Sequence, residues 1–307
     1  MKPKIKIAFV CGWGQSSAEL LERFSKQTPG GYGVWKDRYS MLFGVPDQKD
    51  ADWTVILGDV PEEFPYRHID SKHAIYVQRE LPANGYTPPA WHSNAARILN
   101  YENGYCLGIW WVERSFQELL DLKPGPRPLK VGVITTAKMA TEGQQLRIEF
   151  LRKFAKKAPD LLDVWGKDEH QLKSLFGSCY RGSLPYNGPN ARNGDKSAGI
   201  EPYPLSFCFE NCQQLNYFSE KLLDVLLLWS LPLYWGCPNL CPDFFPGGAF
   251  AWLPLGSPYF DVDEVIEWVR SDPAISLDAI AEARNRILWQ HNLWPMLSRL
   301  IETGSVK

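Results

Sequence analysis

Lys221 stands in the first turn of a helix, where an acid is the usual residue. The run Ser219-Glu220-Lys221 leads from the polar loop "FENCQQLNYF" into the almost wholly apolar "LLDVLLLW". A helix N-terminus carries partial positive charge and favours anionic side chains. A lysine there needs compensation, and a bound anion would supply it, because the ammonium and the free backbone N–H groups would both point at it. The alternative is a lysine extended to solvent or paired with a neighbouring acid. Arg147 raises a similar question. In "LRIEFLRKF", Arg147, Phe150, Leu151 and Phe154 recur at i, i+3, i+4 and i+7 and share one helix face. Arg152, Lys153, Lys156 and Lys157 fall mostly on other faces. Arg147 thus heads an apolar stripe near a helix start. A guanidinium at a core edge needs a partner. Phosphate fits it in bidentate fashion, and a buried carboxylate is the structural alternative. Two cations at two helix starts would make a cradle for a diphosphate.

Other patterns limit whose diphosphate it is. Neither a "GxxxxGK[ST]" loop nor a "GxGxxG" after a strand occurs, so the diphosphate need not belong to ATP or NAD, and a nucleotide sugar fits. Asp261-Val262-Asp263 is a triplet that holds a metal in many sugar transferases. Here Asp261 with Glu264 reads better as a helix cap, with acids suited to the dipole. Without a metal, cationic side chains must neutralise the leaving group. Four of the seven cysteines form two C-x3-C pairs, Cys208/Cys212 and Cys237/Cys241. Cys208 lies inside the strand-like "LSFCFE", and the spacing lacks the tight knuckle of a zinc ribbon, which favours buried thiols.

These residues must be positioned by an alternation of strands and helices, which predicts an α/β fold with parallel sheets. "IKIAFV", "DWTVILG" and "HAIYVQ" read as strands, "SSAELLERFSKQ" and "WVERSFQELLDL" as helices. "KPGPRPLK" (123–130), with three prolines and a glycine, is the clearest linker. A second run follows: the strand "VGVITT", the helix "EGQQLRIEFLRKFAKK", the strand "LLDVWG", and a polar loop "YRGSLPYNGPNARNGDKSAG". Then come the strand–loop–helix–strand of the opening segment, the strand "AFAWL", and closing helices in "VDEVIEWVRS" and "LDAIAEARNRILWQHNLWPMLSRLIE". Two α/β halves joined by a Pro-rich hinge imply two Rossmann-like domains facing a cleft. Ligands in such sheets bind beyond the carboxyl ends of the strands. The expected boundaries are 1–127, 128–275 and a helical segment 276–307.

The 307 residues carry a net charge of −2, with 45% hydrophobic and 22% charged residues. No basic stripe is present, which argues against a nucleic-acid partner. The N-terminal apolar run is broken by Gly12 and Gly14, and the stretch 222–236 contains Asp224 and Pro232. Neither reads as a signal peptide or a membrane span. An odd cysteine count without a secretion signal implies reduced thiols and a cytoplasmic chain. Peripheral membrane association and oligomeric state stay open.

"FENCQQLNYFSEKLLDVLLLWSLPLYWGCPNL" resembles the signature of glycosyltransferase family 10, the α-1,3/1,4-fucosyltransferases: F-E-N, a polar loop, Y-x-[ST]-E-K-[LI], a helix, a strand and G-x-P. "TTAKMATEGQQLRIEFLRKF", "LLDVWGK" and "DFFPGGAF" are similar to further family segments, and "KIKIAFVCGWG" to the start of bacterial members. The chain resembles soluble bacterial or viral forms rather than the anchored vertebrate ones. The resemblance implies the GT-B architecture and inverting, metal-independent transfer of L-fucose from GDP-fucose to a GlcNAc-type hydroxyl, with an α-1,3 or α-1,4 linkage. It implies that the C-terminal half binds the donor and the N-terminal half the acceptor. By position, Arg147 and Lys221 would meet the donor diphosphate, and Glu220 and Tyr217 the ribose and fucose. Asn211 and Glu210 would shape the pocket. Glu80, after the strand "HAIYVQ", would be the general base, although Arg79 stands where the family commonly has glycine. Asp59 and Glu113 are the backups. Loops such as "TPGGYGVWKDRY" and "GYTPPAW" would form the acceptor site. Two rivals remain: a transferase of another nucleotide sugar in surface-polysaccharide synthesis, and a catalytically silent glycan-binding protein. For the latter, some of the thirteen tryptophans, among them Trp110 and Trp111, would stack on sugars.

Overall fold

The computed structural model describes all residues except 1, 13, 59–70, 83–86, 88–89, 103–107, 186–193 and 306–307. The first half forms a six-stranded sheet from β1 (Lys4–Cys11), β2 (Val34–Lys36), β3 (Met41–Gly44), β4 (Trp53–Leu57), β5 (Ala74–Val77) and β6 (Arg97–Leu99). Their spatial order is β2-β3-β1-β4-β5-β6, and only β2 runs antiparallel to its neighbour. Buried parallel strands read as continuous apolar runs, and β4, β5 and most of β1 fit that pattern. Helix α1 (Ser17–Ser25) begins at a capping box between Ser16 and Glu19, and α2 (Phe116–Asp121) at one between Ser115 and Glu118.

The second half is a six-stranded, wholly parallel sheet: β7 (Val131–Ile134), β8 (Leu162–Trp165), β9 (Tyr180–Gly182), β10 (Leu205–Phe209), β11 (Leu231–Trp235) and β12 (Ala251–Trp252). Read from β9, the order is β9-β8-β7-β10-β11-β12. That is the 3-2-1-4-5-6 sequence of a Rossmann sheet, with its switch point between β7 and β10. Its helices are α3 (Glu142–Lys157), α4 (Glu169–Phe176), α5 (Ser197–Ile200), α6 (Glu220–Leu227), α7 (Val262–Arg270) and α8 (Leu277–Arg286). Phe150, Leu151 and Phe154 of α3 are buried, whereas Arg152, Lys153, Lys156 and Lys157 are exposed, as the helical spacing requires. Asp261 caps α7, accepting from the Asp263 amide at 3.0 Å. The Asp-Val-Asp triplet is therefore a helix start.

The linker has no regular structure but is held firmly. Arg127 donates to the carbonyls of Tyr203, Leu228 and Trp229 at 2.7–3.0 Å. The indole N–H of Trp229 returns a bond to the Leu122 carbonyl at 2.8 Å. After α8 the chain passes through a π-helical turn, Ile287–His291, into α9 (Leu293–Thr303), which packs on the first half. Trp294 lies edge-on to Phe9 and donates to the Phe24 carbonyl at 2.9 Å, while Ser298 bonds Ser40 and Asp37. The result is an α/β protein of two Rossmann-like sheets with a C-terminal helical segment.

Two features differ from the sequence expectation. "TPGGYGVWKDRY" is not wholly loop, because β2 occupies Val34–Lys36 and pairs with β3. The polar segment after β8 holds β9 and α5 at its two ends, with 186–193 outside the described residues. Most of "GYTPPAW" also lies outside them. No helix among the described residues is long and apolar enough to cross a membrane.

Candidate active site

A cavity of about 360 Å³ opens at the carboxyl ends of β7 and β10, the switch point of the second sheet. Arg147, Lys221, Glu220 and Asn211 all line it. Arg147 comes from the second turn of α3, whose N-terminus is set by the Thr141–Gln144 capping box. The Thr141 hydroxyl also donates to the Asn211 carbonyl at 3.0 Å. Gly143 lets that loop approach: a Cβ there would sit 2.5 Å from the Asn211 oxygen and 2.6 Å from the Trp235 ring. The start of α3 and the loop after β10 are thus stitched together, which brings Arg147 and Asn211 to one wall.

Arg147 is only 6% exposed, and its Nε has no hydrogen-bond partner among the described residues. Burial lowers its pKa to about 10, against the opposing field of Glu210. A buried guanidinium donor without an acceptor is costly unless a ligand completes it.

Lys221 sits where α6 begins. Ser219 is the cap, its hydroxyl accepting from the Lys221 amide at 3.4 Å. Beneath it, the fully buried Glu210 accepts from the Ser219 amide at 2.8 Å and hydroxyl at 2.7 Å. The Lys221 ammonium lies 3.4 Å from Glu210, 3.8 Å from Glu220 and 3.0 Å from the Ser219 hydroxyl. Lys221 is therefore paired with acids, the alternative raised by the sequence, while also lining the cavity. Burial opposes its charge, but Glu220, Glu210 and Glu80 outweigh it and push the pKa up. Glu220 is the mirror case. Burial works against its charge, yet Lys221, Lys196 and Arg79 hold it at about 2. Gly236 is required beside Glu210, since a Cβ there would meet Glu210 Cγ at 2.5 Å and the Tyr234 hydroxyl at 2.4 Å.

The other expected residues are placed less centrally. Glu210 lies under the cavity wall rather than on it. Tyr217 is 1% exposed within the hydrophobic core, so it does not present its ring to the cavity as the resemblance implied. Glu80 follows β5 and is exposed; Gln78 donates to its backbone carbonyl at 2.9 Å. Its charge raises the pKa of both Lys221 and Cys212, although Glu80 does not itself line the cavity. Glu113 is engaged by Arg23 at 4.0 Å and Lys26 at 3.8 Å. Asp59 lies outside the described residues. Asp163 of the D-V-W-G segment is taken up by Lys130 at 3.1 Å and Arg181 at 2.6 Å. Trp110 is core, and Trp111 lies partly open under the Arg23 guanidinium, 3.6 Å from the ring centroid. Cys208 is a buried strand residue, and the described residues contain no group of three or more His, Cys, Asp or Glu side chains able to hold a metal ion.

Among the cavity residues that the sequence did not single out, two charged ones pair with each other. Lys196, at the start of α5, pairs with Asp224 of α6 at 2.7 Å and approaches Glu220 at 3.7 Å. Asp224 is 1% exposed and also accepts from the Trp111 amide of the first half at 2.7 Å. The available signal was a carboxylate inside the otherwise apolar "LLDVLLLW".

No family model matches the chain. A stretch of 70 residues is 36% identical to the α-(1,3)-fucosyltransferase FucT of Helicobacter pylori, covering 23% of this chain and 14% of that protein. Among solved structures, an α1,3-fucosyltransferase aligns with 94% of this chain and 81% of its own, at 16% identity and a TM-score of 0.44. The same kind of enzyme with GDP-fucose aligns over 95% and 84%, at 15% identity and 0.38. Sucrose-phosphate synthase from Thermosynechococcus elongatus aligns over 98% and 97%, at 9% identity and 0.49. The resemblance to glycosyltransferase family 10, drawn from the motifs around Arg147 and Lys221, is thus joined by a sequence match to an α-(1,3)-fucosyltransferase over part of the chain.

Proposed function

We propose that the protein is an inverting, metal-independent fucosyltransferase that moves L-fucose from GDP-fucose to a hydroxyl of a glycan acceptor. The observation that carries the reading is the convergence of Arg147 and Lys221 on one cavity at the Rossmann switch point, with Arg147 Nε buried and lacking an acceptor. Residues 128–275 would hold the donor, residues 1–127 the acceptor, and 276–307 the closing helices. The sequence match to FucT supports fucose as the sugar.

In this reading Glu80 takes the proton of the acceptor hydroxyl. The new bond forms between that oxygen and the anomeric carbon, on the face opposite the diphosphate. The bond from the anomeric carbon to the phosphate oxygen breaks, and GDP leaves with the electron pair. Negative charge grows on the leaving phosphate, where Arg147, Lys221 and the α6 N-terminus stand preorganised, so a metal is not required. Losing one such donor should lower turnover by roughly 100-fold or more. Glu220 and Asn211, on the same wall, would orient the sugar and ribose hydroxyls, with Glu210 fixing Ser219 and Lys221 from below.

The cavity chemistry selects a diphosphate more strongly than a sugar. The deciding experiment is donor hydrolysis and transfer with GDP-fucose, other GDP-sugars and UDP-sugars, in EDTA, over a panel of GlcNAc-type acceptors. Turnover of GDP-fucose alone supports the proposal. Turnover of a different nucleotide sugar replaces the donor, and glycan binding without turnover of any donor overturns the enzyme.

A further inference from the structure

The cavity carries more charge than the two cations already assigned to it. Among its charged lining residues, Arg147, Lys196 and Lys221 stand with Glu220 and Asp224, and Lys138, Lys167 and Asp168 line it as well. Glu220 Oε1 stands between the two ammonium groups, 3.7 Å from Lys196 and 3.8 Å from Lys221. Lys196 is anchored by one short bond, 2.7 Å to Asp224 Oδ2. An ammonium has three donors. One is used by Asp224, and the 3.7 Å approach to Glu220 is longer than a hydrogen bond. Among the described residues, two N–H groups therefore remain for the cavity. Asp224 is in turn fixed on its other oxygen by the Trp111 amide, across the boundary between the halves.

We propose that Lys196 binds the donor diphosphate together with Arg147 and Lys221, and that Asp224 is the positioning residue that aims it. This rests on the donor reading above. Lys221 is already shared between two carboxylates, so a diphosphate, with at least two negative charges, gains from a further ammonium held in place. Lys138 and Lys167 also line the cavity, with Asp168, and Lys196 is fixed there by its 2.7 Å bond to the buried Asp224. Lys196 can turn from Glu220 to the phosphate without leaving Asp224. Because Asp224 also holds the Trp111 amide, the same anchor fixes the cation relative to the acceptor half.

The test compares GDP with guanosine, which lacks the phosphates, by ligand-observed NMR titration of the full chain. Lys196→Met should weaken GDP by roughly 10- to 100-fold, the range of a charge-assisted hydrogen bond, and leave guanosine unchanged. Lys196→Arg should recover most of the GDP affinity, because the charge returns. Asp224→Asn should weaken GDP by a smaller factor, with guanosine again unchanged. Equal GDP affinity in Lys196→Met and the unsubstituted protein overturns the proposal, as does a matching loss of guanosine, which would reveal a structural role. If the unsubstituted protein binds neither GDP nor guanosine, the donor reading itself fails.

Discussion

Replacing Arg147 with methionine should make the protein more stable and unable to hold its donor. The guanidinium is 6% exposed, and burial lowers its pKa from 12.5 to about 10, a value that already includes the attraction of Glu210. At 1.36 kcal/mol per unit, keeping that charge inside costs the folded state about 3 kcal/mol. The pKa stays well above neutrality, so the group is charged at pH 7 and the cost is present throughout an ordinary assay. Methionine matches the length of the stem and removes the charge and the unpartnered Nε. Allowing for lost stem packing, the free protein should gain roughly 1–3 kcal/mol, a rise of several degrees in melting temperature. The measurement is thermal and urea unfolding of both proteins, with and without GDP. The unsubstituted protein should be raised by GDP, and Arg147→Met should start higher and show no rise. A variant that is less stable by more than about 1 kcal/mol, yet is stabilised by GDP as before, would refute the reasoning, since Arg147 would then be a structural residue.

Three further outcomes follow from the geometry. Glu80→Gln should lower transfer by about 100- to 10,000-fold while leaving GDP binding intact, measured as turnover against a GDP titration; unchanged turnover moves the base elsewhere. Gly143→Ala should destabilise the fold and weaken GDP, because its Cβ would fall 2.5 Å from the Asn211 carbonyl oxygen, which unfolding and titration together would reveal. His291 should limit stability on the acid side. Burial, with Arg299 and Arg286 adding to it, lowers its pKa from 6.5 to about 4. Below pH 6.5 the unfolded chain takes up a proton that the native protein resists until about pH 4. Its contribution is complete above pH 6.5 and lost as the pH falls toward 4, by about 3 kcal/mol. His291→Gln should flatten that limb of a urea-unfolding series.

Much of this arrangement was legible because local rules and global fold agree. The course of α3 follows from the spacing of Phe150, Leu151 and Phe154, and α6 begins where the run Ser219-Glu220-Lys221 enters the apolar stretch. The site cations were visible for the opposite reason: Arg147 and Lys221 break the rules of their own elements, and such breaks concentrate where something outside the element compensates. Less visible was anything decided by pairing at a distance. β2 and β3 are short strands fixed by each other, and β6 has three residues. Tyr217 has the composition of a ligand-facing aromatic, but its burial depends on how the loop after β10 folds into the core. Lys196 looked like one polar residue among many in its loop. Only its bond to Asp224, from a helix 28 positions along the chain, separates it from them.

The return of α9 to the first sheet has a mechanical consequence. The polypeptide crosses between the two halves twice, once through the Arg127-anchored linker and once through the π-helical turn before α9. A body attached at one point can swivel in any direction, whereas one attached at two points turns about the line joining them. Here the buried core that both halves share and the Trp111–Asp224 bond restrain even that turn, and severing the backbone in 123–130 would leave the pieces held together.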